Sequence, residues 1–336
     1  MSRTTQRRKK KNTKQQNKKS MKQVLIDKAR PFFQQYKNDA TRKTYESNFA
    51  KYIDFCRRKY NVKSEEECID HIQDYVENLV KEKKTPSTIH SYIAPVCAYF
   101  QTPMNQIEKP SRKVSENVRS RNRPDKYKRS DQQFENKKIS LVAKFQAKVG
   151  VRRNELKQLR LNNFKQDESG YWCVEVMRGK GGKYQLQRIL PEDVDFIRSY
   201  FKTPDNSTEK LFKESDFSKN MDYHRLRAIQ AQRAYWYYYN QLHTGDYEKD
   251  SATAFKFRGE LIKRWNLYNI DKHTGKPRHF PFEDTKGVYK LRGDNRRKAL
   301  ADGLPVEYDR LAVYMVSVFH LSHWRLDTLT NYLLAV

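Results

Sequence analysis

The apolar pattern of this chain stops over residues 108–130, and that break constrains the fold more than any other feature. The stretch holds Pro110, Pro124 and a run of Arg and Lys with few apolar residues, so it has little to bury. A chain of 336 residues has room for about two domains of ~150 residues each. We expect a helical body over 21–107, a basic linker over 108–130 and a second body over 131–336. Residues 1–20 are mostly Lys, Arg, Gln, Asn, Ser and Thr and read as a disordered basic tail.

The first body reads as a bundle of four or five helices. Val24, Leu25, Phe32, Phe33 and Tyr36 suggest a short helix disturbed at Pro31. Asp39 is placed to cap a second, with Tyr45, Phe49, Ile53 and Cys56 on one face. Ser64-Glu-Glu-Glu67 has the spacing of a capping box and opens a third, burying Cys68 or Ile69, Ile72, Val76 and Leu79. Thr85-Pro-Ser opens a fourth, with Ile89, Ile93, Val96 and Phe100 inward.

In the second body, helical signals cover 131–148 and 153–161. Residues 171–177 and 184–190 are strand-like, and Gly179-Lys180-Gly-Gly182 joins them as a hairpin turn. Pro191 opens another helix, and helices dominate after Met221. The expected class is therefore mainly α with a small β hairpin or sheet, an α+β second domain following a helical first one.

Lys and Arg outnumber Asp and Glu by 69 to 40, a formal charge of +29. Such an excess calls for a polyanionic partner. No apolar run approaches the ~20 residues that span a bilayer, and the basic N-terminus lacks the apolar segment of a secretory signal. Nucleic acid is therefore the expected partner rather than a membrane. Cys56, Cys68, Cys97 and Cys173 form no C-x-x-C pair, so zinc ligation has no support and they read as small buried side chains in a reducing compartment.

The chemistry-bearing residues are scattered but ordered. A tyrosine that attacks a DNA phosphate must lose a proton from a group of pKa near 10. The phosphorane gathers negative charge that guanidinium forks bind bidentately, and the leaving 5′ oxygen needs a proton. Gly150-Val-Arg152-Arg-Asn-Glu155-Leu offers an arginine at a helix start. Lys180 sits at the hairpin tip. His224-Arg-Leu-Arg227 puts imidazole and guanidinium on one helix face. His323 and Tyr332 stand nine residues apart near the C-terminus.

Singly these signals are weak: H-x-x-R is a common surface face, G-K-G-G an ordinary turn, and Tyr332 one of 22 tyrosines. In this order they resemble the tyrosine recombinase (phage integrase) family. Its set is an arginine in a G-x-R-x-x-E-L box, a hairpin lysine, H-x-x-R, and G-H-x-x-x-x-T-x-x-Y. The resemblance covers nearly the whole chain. It extends to Thr41-Arg-Lys-Thr-Tyr45 and Thr85-Pro-Ser-Thr-Ile89, which are similar to helix openings of the family's SAM-like core-binding domain.

The resemblance implies a role for each residue. Arg152 and Arg227 would grip the scissile phosphate, with Arg153 out of register. Glu155 would buttress the site, and Lys180 would be the general acid, with Lys183 as fallback. His224 would take or relay the tyrosine proton, His323 would bind phosphate, and Tyr332 would form a 3′-phosphotyrosyl link. It also implies a homo-tetramer on specific double-stranded DNA sites, in the cytoplasm at the nucleoid, acting through a Holliday junction without metal, ATP or other cofactor and open to an accessory excision factor.

Three departures stand out. Ser322 replaces the glycine before the second histidine, which an ordinary helical backbone would accommodate. Arg227 and His323 are 96 residues apart (323 − 227), implying an insertion over about 237–305 and a mobile or conjugative element. The aromatic run Tyr235-Trp-Tyr-Tyr-Tyr239 at its edge reads as core packing rather than base stacking. Only four residues follow Tyr332, so an exchange of C-terminal helices between protomers must use another segment or be weak. The rival readings are a type IB topoisomerase, a catalytically inactive DNA-binding regulator of the same fold, and a basic RNA-binding protein.

Overall fold

The computed structural model describes residues 20–112, 137–180, 182–201, 208–218, 221–243, 251–271, 273–326 and 330–333. The tail expected over 1–20 (Ser20 apart) and the linker beyond residue 112 lie outside the described residues, as does the expected helical signal at 131–136. The chain forms two compact units, Met1–Asn117 and Val118–Val336.

The first unit is a helical bundle. Helix α1 (Met21–Gln34) is capped by Ser20, carries Pro31, and buries Leu25, Ala29 and Phe33. Val24 is 45% exposed, because the buried face runs through Leu25 and its i+4 and i+8 neighbours. Helix α2 (Asp39–Tyr60) is capped one residue earlier than expected. The Asn38 side chain accepts from the N–H of Ala40 and Thr41, leaving Asp39 as the first helical residue.

The third expected helix is two. Helix α3 (Glu66–Ile69) breaks before α4 (Ile72–Lys81). Cys68 is buried while Ile69 is 43% exposed. Helix α5 (Pro86–Tyr99) starts as read, with Thr85 Oγ1 accepting from the Thr88 N–H. Phe33, Phe49, Tyr52, Ile53, Ile93 and Val96 form the core of this unit, each worth roughly 1.5–3 kcal/mol of transfer free energy.

The second unit opens with α6 (Lys137–Val149) and α7 (Arg153–Leu156). Helix α7 is far shorter than the signal over 153–161, because Arg160 leaves the helical path to form a bridge with Lys210. Strands β1 (Phe164–Gln166), β2 (Trp172–Val176) and β3 (Gln185–Arg188) make an antiparallel sheet in that order. β1 has no sequence counterpart: three residues are too few to show alternation. Register Val176↔Gln185 fixes the hairpin that carries Lys180. Helix α8 (Val194–Arg198) follows.

Helix α9 (Tyr223–Leu242) organises the unit. Tyr223 and Leu226 belong to one apolar cluster, with α6, the sheet and α8. Ala228, Ala231, Ala234, Tyr235 and Tyr238 belong to another, so Arg227 lies at the seam between two cores. The aromatic run continues this helix, with Tyr235 and Tyr238 in the core and Trp236 44% exposed.

The expected insertion is built into this second core. It contains α10 (Ser251–Tyr268), β4 (Val288–Lys290) and α11 (Gly293–Ala301), and β5 (Glu307–Asp309) follows it, antiparallel to β4. Buried Arg264 on α10 and Arg188 on β3 share Asp167 Oδ2 at 2.7 and 2.6 Å, and Arg188 Nη1 reaches Glu260 at 2.7 Å. Polar residues thus fasten α10 to the sheet. Helix α12 (Arg310–Met315) and a π-helical turn, Val316–His320, lead to the last element, α13 (Thr330–Leu333). The class is mainly helical with small antiparallel sheets, as expected. No described helix is long and apolar enough to cross a membrane.

Candidate active site

Arg152 stands at the start of α7, where Gly150 makes its placement possible. Gly150 has φ +68°, and a Cβ there would lie 3.0–3.2 Å from the Gln230 side chain. Both facts favour glycine. The Glu155 carboxylate turns back on the helix start, accepting the Arg152 N–H at 2.8 Å and Arg152 Nη1 at 2.7 Å. It also accepts the Lys180 N–H at 3.2 Å and Gln185 Nε2 at 3.3 Å. Burial alone would raise this carboxyl, but Arg152, its N–H and Arg227 outweigh burial and hold it below the ordinary range.

The hairpin is shaped around that carboxylate. The Gly179 N–H donates to the Lys183 carbonyl at 2.7 Å. A Cβ at Gly179 would fall 1.6 Å from Gln185 Nε2 and 3.0 Å from the Lys183 carbonyl. Glycine is therefore required where Gln185 reaches Glu155. The side chains of Lys180 and Lys183 are exposed, so Lys180 is tied to the site by its backbone and its amine extends into solvent.

Arg227 is 1% exposed. Its Nη1 donates to the Gly150 carbonyl, and its Nη2 to the Leu321 carbonyl at 2.6 Å. These carbonyls lie two residues before Arg152 and two before His323, so one guanidinium holds both loops. Arg227 Nε is buried with no hydrogen-bond partner among the described residues. Burial lowers the Arg227 pKa against the opposing influence of Tyr332.

His323 lies 3.3 Å from Arg152 Nη2 through its Nε2. A guanidinium only donates, so Nε2 accepts and the proton resides on Nδ1. Burial first, then Arg227, Arg152, Arg325 and Lys180, push its pKa down to about 3, which leaves a neutral imidazole. The ring is presented by a sharp departure from helix. Ser322 has φ +51°, a left-handed conformation, so the expectation of an ordinary helical backbone there is wrong. A left-handed residue favours glycine because it carries no Cβ, and this chain places a serine in it.

Tyr332 on α13 is 6% exposed. Its ring centroid lies 5.1 Å from that of His224 and 6.0 Å from that of His323, and 5.7 Å from the Arg227 guanidinium carbon. His224 is exposed at the start of α9, whose cap is Asp222. The structure thus brings Arg152, Glu155, Arg227, His323, His224 and Tyr332 together and links Lys180 to them through its N–H. Arg153 turns away, with its guanidinium 5.3 Å from the Tyr223 ring.

Two supporting residues escaped the sequence reading. Gln185 bonds Glu155, and His320 anchors the turn before His323. Gln230 Nε2 donates to His320 Nδ1 at 2.8 Å, so His320 Nε2–H donates to the Tyr238 hydroxyl at 3.1 Å. The only hint lay in Gln185-Leu-Gln-Arg188, a strand whose polar side chains are all buried. Strand alternation would have put half of them outside.

The arrangement offers two guanidiniums and a lysine against one carboxylate, with donors still unused, beside a phenol and two imidazoles. It suits an anion attacked by the phenol. Among the described residues no group of three or more His, Cys, Asp or Glu side chains could hold a metal ion.

No family model matches the chain, and no curated protein matches it. Among solved structures it is similar to XerH site-specific recombinase bound to a palindromic difH substrate, a post-cleavage complex. The identity there is 14%, over 66% of this chain and 75% of that one, with a TM-score of 0.33. It is also similar to XerA recombinase, at 17% identity over 67% of this chain and 86% of that one, with a TM-score of 0.22. Superpositions this loose carry no argument, so the functional reading rests on the site.

Proposed function

We propose that this protein is a tyrosine recombinase that cleaves and rejoins double-stranded DNA through Tyr332. The observation that carries the reading is the position of Tyr332, with His224, His323 and Arg227 around one ring at 5.1–6.0 Å. In the proposed reaction the Tyr332 oxygen attacks the scissile phosphorus and passes its proton toward His224. Arg152, Arg227 and His323 bind the non-bridging oxygens as charge builds on them. The phosphorus–oxygen bond to the 5′ carbon's oxygen breaks, and Lys180 supplies the proton that makes a 5′ hydroxyl. The phosphate remains esterified to Tyr332 through the 3′ end. Attack by another 5′ hydroxyl reverses the step, so the ester conserves the bond energy and rejoining needs no nucleotide. Strand exchange between two duplexes would engage four protomers and a Holliday junction, with an accessory factor setting direction in a mobile element.

One observation favours a second reading, a strand-relaxing enzyme of the type IB topoisomerase kind. Tyr332 sits in the site of its own chain, which suits an enzyme that acts alone. The test of both is denaturing capture of protein–DNA adducts from nicked duplexes of randomised sequence. We expect adducts at Tyr332, abolished in Tyr332→Phe while duplex binding persists. Adducts that survive in that variant would overturn the assignment. Relaxation of supercoiled DNA without recombinant product would favour the second reading.

A further inference from the structure

The segment β4–α11–β5 is an exposed basic plate on the second core. Its strands pair from Val288↔Asp309 to Lys290↔Glu307. The Leu291 N–H donates to the Val306 carbonyl at 2.9 Å, and the Leu304 N–H to the Ala299 carbonyl at 2.8 Å. Leu291, Ala299 and Tyr308 are the buried anchors. Among the described side chains of α11, Ala299 is the one in the core.

Among its described side chains, α11 presents cations to solvent. Arg292, Arg296, Arg297 and Lys298 are exposed, and Leu300 is 52% exposed between them. Arg292, Arg296 and Lys298 have no ion-pair partner among the described residues. Lys290 on the adjoining strand, by contrast, is balanced by Glu307 at 2.9 Å. A helix held this lightly, with unbalanced cations on its outer side, complements a polyanion.

The plate also has a fixed relation to the candidate site. The Asp309 N–H donates to the Tyr235 hydroxyl at 3.0 Å, and Tyr235 lies eight residues beyond Arg227 on α9, about 12 Å along the axis. One turn of duplex is about 34 Å long. A duplex that ran along α9 from a phosphate at Arg227 would therefore meet the plate within one turn.

We infer that α11 is a second DNA-contact element, holding phosphates of the duplex beside the cleaved bond through Arg292, Arg296 and Lys298. The inference rests on the strand-transfer reading for its partner and gives the insertion a role in affinity. Each phosphate contact contributes about 0.9 to the slope of log affinity against log salt. Three contacts should therefore account for about 2.7 of that slope.

The test uses the full chain with Arg292→Gln, Arg296→Gln and Lys298→Gln together. Glutamine keeps helix propensity close to that of Arg and Lys. Lys210→Gln, Lys213→Gln and Lys256→Gln, all exposed, make a charge-matched control. Binding to a duplex of about 30 base pairs is titrated from 50 to 200 mM salt. We expect the slope to fall by about 2–3 in the α11 variant and by less than one in the control. Equal loss in both variants, or no loss in either, would overturn the proposal. So would a loss seen with single-stranded RNA but not with duplex DNA. Adduct capture on wild-type protein is scored separately, so absence of a Tyr332 adduct would sink the strand-transfer reading without being confused with failure at α11.

Discussion

Gln232 Nε2 on α9 donates to the Leu333 carbonyl at 2.9 Å and lies 3.4 Å from the Tyr332 carbonyl. The four-residue helix bearing Tyr332 is thereby fastened to the helix bearing Arg227 within one chain. A single turn of helix has almost no stability of its own, so its position depends on this bond and on burial of Tyr332 and Leu333. Replacing Gln232 with Ala should cost about 0.5–1.5 kcal/mol, concentrated in α13. Hydrogen exchange should show faster opening of residues 330–333 with α9 unchanged. Unaltered protection there would mean that burial alone holds the helix.

The serine at φ +51° carries a local cost. A non-glycine residue in the left-handed region is disfavoured by roughly 1–2 kcal/mol, and glycine recovers part of that at the expense of a more flexible unfolded chain. Ser322→Gly should therefore raise stability by about 0.5–1 kcal/mol, and thermal unfolding would measure it. Adduct yield should stay within a few-fold of wild type, because His323 keeps its place. A drop in melting temperature would show that the Ser322 side chain contributes a contact worth more than the strain.

Lys180 enters the site through its N–H, and its amine is free to reach the leaving oxygen. If it is the general acid, Lys180→Ala should slow cleavage by about 10²–10⁴. The defect should vanish on a duplex in which the 5′ leaving oxygen is replaced by sulfur, because a thiolate departs without a proton. Lys183→Ala should behave like wild type on both substrates. Failure of the sulfur substrate to rescue Lys180→Ala would assign Lys180 to phosphate binding instead.

Much of this site was legible because its parts are local. Gly150, Arg152 and Glu155 fall within six residues, and His224 and Arg227 within one turn. Such spacings read directly as shared faces or caps. What escaped was long-range and polar. Asp167, Arg188, Glu260 and Arg264 meet from three segments, and nothing in the periodicity of α10 predicts a buried arginine. Ser322 was misread because a backbone angle has no sequence signature without glycine. The short α7 and the split of α3 from α4 were missed for a related reason: tertiary contacts end those helices before the apolar pattern does.

Asp167 carries the largest predicted stability loss. It is buried and bonds both Arg188 and Arg264, which are themselves 1% and 2% exposed in their side chains. Removing one member of a buried ion pair costs about 3–5 kcal/mol, because the remaining charge stays desolvated. Asp167→Ala should lose at least that much and loosen α10 from the sheet. Chemical denaturation would give the value, and α10 amides should exchange markedly faster than in the wild type. A loss near 1 kcal/mol would mean that Glu168 and Glu260 suffice to hold both arginines.

Acid should destabilise this protein through its buried histidines before its carboxylates matter. His320 is 1% exposed, and burial, then Arg188, pushes its pKa down to about 3. An unfolded histidine titrates near 6.5. Between those values the unfolded chain binds the extra proton, so stability rises with pH there and falls as pH drops. The contribution is complete above about 6.5, decays at about 1.4 kcal/mol per pH unit below it, and is exhausted near 3. His323 acts in the same direction. Asp167 and Glu155, whose pKa values are lowered, add to the loss only as the pH passes below the ordinary carboxylate range. His320→Gln removes one titration without adding a charge. Its stability, measured from pH 7 to 5, should decline less steeply than that of wild type. Parallel curves would show that His320 is already protonated when folded, with its charge balanced by a partner other than Gln230 and Tyr238.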